Sequence, residues 1–64
     1  MKIAPGDIVK FRSQFNNQQN KRLGMVIQQS VVGRGVFIFY LIMNKAGETE
    51  WVKADRVERV KTPN

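Results

Sequence analysis

Val36-Phe37-Ile38-Phe39-Tyr40-Leu41-Ile42-Met43 is the stretch whose reading decides the fold of this chain. Its eight apolar or aromatic residues run without a polar break, after Gly33 and Gly35 and before Asn44-Lys45-Ala46-Gly47. A run this short, rich in β-branched and aromatic residues and bounded by turn formers, predicts a buried strand. It is too short to cross a bilayer as a helix, which takes ~20 apolar residues, so no membrane span is expected. Strand side chains alternate between two faces. Val36, Ile38, Tyr40 and Ile42 share one face, and Phe37, Phe39, Leu41 and Met43 share the other. In a chain of 64 residues only one face can look into the core. A one-residue shift of register exchanges the two, so the pattern alone leaves the choice open.

Outward from this run the chain reads as further short strands. Ala4-Pro5-Gly6-Asp7 is a turn signal, and Ile8-Val9-Lys10-Phe11-Arg12 alternates behind it. Ser13 to Arg22 is polar apart from Phe15 and shows no hydrophobic period, so it predicts a long first loop. Leu23–Gln29 reads as a second strand, in which Gly24 marks a bulge or a close backbone approach. Residues 30–34 form the next connection, with Arg34 at its tip, and the third strand runs from Gly35 to Met43. Asn44–Gly47 is a tight hairpin turn, Glu48–Lys53 a fourth strand, Ala54-Asp55-Arg56 a single 3-10 turn and Val57–Val60 a closing strand. Residues 61–64 are expected to be a frayed tail on a single domain spanning 1–64. The expected core is Val9, Phe11, Val26, Ile38, Tyr40, Ile42, Trp51, Val57 and Val60.

Composition narrows the function. Lys and Arg total 11 against 5 Asp and Glu, a net +6. Residues 1–34 hold Lys2, Lys10, Arg12, Lys21, Arg22 and Arg34 against Asp7 alone, a net +5; residues 35–64 hold five basic and four acidic side chains, a net +1. Such a domain suits a polyanion partner, either nucleic acid or an acidic protein. With no cysteine and no histidine, disulfides, thiolate ligands and the usual zinc sites are excluded, and no cofactor is expected. Met1–Asp7 has no apolar h-region, so a cytoplasmic location is expected.

The order of elements resembles an SH3-like small barrel in the KOW/Tudor style. "PGDIVKF" at 5–11 is similar to its opening strand, "RLGMVI" at 22–27 to its second, and "GETEWVKADRVERV" at 47–60 to its strand, single turn and closing strand. The resemblance covers nearly the whole chain and implies an all-β, five-stranded SH3-like barrel. More narrowly, the chain resembles short SH3-like proteins of phages and bacteria. It departs from the peptide-binding SH3 domains, because its first loop is amide-rich and basic rather than acidic. The Gly6-Asp7-x-Val9 opening is also similar to that of type II dihydrofolate reductase. The V-Q-I-Y segment from which that enzyme builds its pore has no match here.

Catalysis is not expected. The common general base and the strongest nucleophile are both absent, and Ser13 and Ser30 have no evident base. Glu48 and Glu50 share a strand face, which reads as a solvated, salt-bridged surface. Two binding surfaces remain. Lys10, Arg12, Lys21, Arg22 and Arg34 are candidates for phosphate contact on a common rim, with Phe15, Tyr40 or Trp51 for base stacking; nothing encodes sequence specificity, so DNA and RNA both fit. Two readings stand for Phe15, a lid over one end of the core or an outward stacking aromatic. The alternative surface is the apolar face Phe37, Phe39, Leu41 and Met43, which suits a homodimer or a partner protein.

Overall fold

The computed structural model describes residues 3–13 and 21–60. The strands are β1 (Ile8–Phe11), β2 (Arg22–Val32), β3 (Phe37–Met43), β4 (Thr49–Lys53) and β5 (Val57–Arg59), with a 3-10 turn at Ala54–Arg56 between β4 and β5. They form one antiparallel five-stranded sheet in the order β4-β3-β2-β1-β5. The pairing does not close the expected barrel: β4 and β5 are the two edges of an open sheet. Among the described residues no helix is long and apolar enough to cross a membrane. Phe15 and the expected tail at 61–64 lie outside the described residues.

The register settles which face of β3 is inside. Ile42 pairs with Val26 on one side, and Tyr40 pairs with Val52 on the other. Among the described residues these four join Val9 and Phe11 of β1 in a six-residue buried core. Ile3, Ile38, Ala54 and Val57 are partly buried against it. Two β1 neighbours fix the strand's inward side: Val9 pairs with Gly24 and Phe11 with Val57. Phe37 is exposed, and Phe39, Leu41 and Met43 are half-buried on the opposite side of the sheet.

Trp51 is the main correction to the expected core. It pairs with Leu41 and faces outward at 38% exposure, while Val52 fills the inner position at 0%. Val60 is half-buried just past β5, where its N–H donates to the Ile8 carbonyl at 3.2 Å. Strand β2 is also longer than its hydrophobic pattern, running on through Val32. Its register shifts between Val26 and Gln28, a bulge that pairs polar Gln28 with outward Leu41 rather than setting it in the core. The chain then reverses at Gly33-Arg34-Gly35, all three with positive φ, including 58° at Arg34. The Asn44 turn is held by its side chain: Oδ1 accepts from the N–H groups of Ala46 at 2.9 Å and Glu48 at 3.0 Å.

Gly24 proves to be a close approach, and the bulge lies three residues further on. A Cβ at this position would lie 2.5 Å from Ile42 Cγ2, 2.8 Å from the Met43 carbonyl oxygen and 3.0 Å from Phe11 Cε1. The carbonyl belongs to the paired strand and cannot turn aside. Gly24→Ala is therefore expected to destabilise the fold by about 1–3 kcal/mol, the usual range for overpacking a filled core. Urea unfolding followed by Trp51 fluorescence measures this, and an unchanged midpoint would contradict the packing described.

Candidate functional site

The first surface is a basic corner at the β1/β5 side of the sheet. Lys10 points outward from β1, flanked across the strands by Leu23 and Glu58. One residue past β1, the Arg12 N–H donates to the Arg56 carbonyl at 3.3 Å, which ties the end of this strand to the 3-10 turn. That contact brings two guanidinium-bearing residues to one place. Arg12, Lys21 and Arg56, with Asp55, Val57 and Glu58, line a cleft of about 480 Å³. Lys21 Nζ donates to Glu58 Oε2 at 2.6 Å across it.

Glu58 registers the positive field. The Lys21 hydrogen bond holds its carboxyl below the usual carboxylate range, and the charge of Lys21 adds to this. Partial desolvation opposes the shift, and Lys10 and Arg12 contribute further lowering. Both side chains of the pair are well exposed, so it orders the corner more than it stabilises the fold.

The other expected phosphate contacts are placed differently. Arg22 opens β2 and lines a neighbouring cleft of about 470 Å³ with Lys21, Leu23 and Lys45. Arg34 sits beyond Val32, at the far end of the eleven-residue β2 from Arg22, so the structure does not bring it to the same rim. Tyr40 is buried and is not a stacking residue; Trp51 is on the surface. Arg56 joins the corner although no sequence pattern singled it out. Its place depends on the 3-10 turn docking beside β1, a contact between segments more than forty residues apart.

The second surface is the outer face of the sheet. The register sets Ile8, Met25 and Met43 in one row across β1, β2 and β3, with Thr49 of β4 at its end. Gln28, Leu41 and Trp51 form the next row, then Ser30 and Phe39 with Lys53, and then Val32 with Phe37. The expected apolar face of residues 37–43 is thus the middle of a larger stripe that neighbouring strands extend. Lys53 lies at its margin, with Nζ 5.4 Å from the centre of the Phe37 ring.

No family model, curated protein or solved structure matches this chain.

The Lys21–Glu58 pair gives a direct check on the corner. Because the Glu58 pKa is lowered in the folded state, any stability from the pair is present at neutral pH. It is lost as pH falls through the folded pKa. A carbon-detected NMR titration should show Glu58 ionising below the ordinary range, and Lys21→Met should move it back upward. An unmoved Glu58 titration in that variant would mean the pair does not form in solution.

Proposed function

We propose that this protein is a small non-catalytic binding module of the SH3-like type that binds nucleic acid, DNA or RNA, with low sequence specificity. Five antiparallel strands with one 3-10 turn before the last support the SH3-like reading. The observation that carries the function is the cleft in which Arg12, Lys21 and Arg56 converge, with Lys10 beside it, on a chain of net charge +6. Three such cations suit the phosphates of a short stretch of backbone. Asp55 and Glu58 in the same cleft temper the field, which fits modest affinity rather than tight binding.

An acidic protein offers the same charge as nucleic acid and is the second reading of this corner. The outer apolar stripe favours a protein contact of a different kind, which needs no charge at its centre.

Fluorescence anisotropy with short single- and double-stranded DNA and RNA at low and near-physiological salt tests the proposal. Micromolar binding is expected at low salt, with a log–log salt slope of about −2 to −3 for three phosphate contacts. Arg12→Glu combined with Arg56→Glu should weaken binding at least tenfold, whereas Arg34→Glu should change it far less. Absence of binding at low salt would overturn the nucleic-acid reading.

A further inference from the structure

We propose that the outer face of the sheet is the contact surface for a second copy of this chain, which stacks on it to make a two-layer sandwich. By register the stripe runs from Ile8 and Met25 through Met43 and Leu41 to Trp51 and Phe37, with polar Gln28 and Ser30 beside Leu41 and Phe39 on β2. Phe37 and Trp51, 45% and 38% exposed, each leave on the order of 100 Å² open. With Ile8 at 49%, Leu23 at 43% and Met25 at 37%, the exposed apolar surface on this side reaches on the order of 500 Å². That is at the upper end of what a monomer ordinarily shows, and most of the ~800 Å² that each partner gives to a standard interface. For this chain ~800 Å² is roughly one sixth of its 5087 Å² surface.

Three features point to a second copy as the occupant. Among the described residues the buried core holds six side chains, and the chain has no cysteine to form a disulfide, so a domain of this marginal length gains from a further source of stability. Association through an apolar face supplies it. The charges lie at the margins of the stripe, Lys10 and Glu58 on one side and Lys53 on the other, so two such faces meet without burying an unpaired charge at the centre. Finally, the alternative of adding a strand at the β4 edge is guarded. That strand has five residues, and Glu50 on its inner side accepts a hydrogen bond from Ser13 Oγ at 3.2 Å. The basic corner at Arg12, Lys21 and Arg56 lies outside the stripe and stays open in the pair.

Sedimentation equilibrium of the nuclease-treated full chain, from low micromolar to near-millimolar, tests this together with the emission of Trp51, the sole tryptophan. The expected result is a doubling of mass with concentration, a blue shift of the emission over the same range, and no weakening in high salt. Leu41→Lys, and separately Met25→Lys at a more open position, should each give a folded monomer with concentration-independent emission. A wild-type chain that stays monomeric with unchanged emission, including one that instead captures an acidic protein, overturns the proposal. So does a dimer that persists in both folded variants. Loss of cooperative unfolding in both variants would overturn the outward placement on which the proposal rests.

Discussion

Tyr40 against Val52 and Ile42 against Val26, on the inner side of β3, are the contacts on which the remaining structure depends. A strand of seven consecutive apolar residues has no polar side to give to water. The described residues bury its inner side. The covering comes from Val9 and Phe11 of β1, with Ala54 and Val57 from the closing segment. Once those residues are committed inward, alternation sends Phe37, Phe39, Leu41 and Met43 to the other side. The outer apolar stripe is therefore a consequence of how the core is built.

The same commitment explains the tight place at Gly24. Strand β2 must pass close to β3 while Phe11 and Ile42 meet over it, and a glycine leaves the room for both rings and methyls. The bulge three residues later, at Ile27, changes the register, so that polar Gln28 shares the outer side with Leu41. Core and surface are thus set by local devices at Gly24 and Ile27. The charged residues are left to the periphery, where the docking of the 3-10 turn against the end of β1 gathers them into a corner.

Much of this was legible in the sequence. The glycine and asparagine turns bound the strands, and the one-turn segment at Ala54–Arg56 lies where its length requires. The sequence reading places Trp51 of β4 in the core, but each face of that strand offers one apolar residue, Trp51 or Val52, and alternation alone does not choose between them. Pairing decides the matter by setting Val52 beside Tyr40, and pairing is not a local property of the chain. For the same reason Val31 and Val32 looked like a loop next to Gly33, whereas they extend β2 against β3. The charged corner was half visible. Lys10 and Arg12 follow from alternation and Lys21 from its place at the loop end, but Arg56 reaches them only through the fold. Arg34 was grouped with them by loop order, and the length of β2 separates it.

The central claim is that β3 has one structural side and one side free for contact. A lysine scan along Phe37–Met43, each variant followed by thermal unfolding at low protein concentration, tests it most directly. Lysine at 38, 40 or 42 buries a charge among apolar neighbours, and should weaken or abolish cooperative unfolding. Lysine at 37, 39, 41 or 43 should leave a cooperative transition, since its charge reaches solvent. Equal damage at both sets of positions would mean that both faces of the strand are core, and the outer stripe would lose its standing as a binding surface.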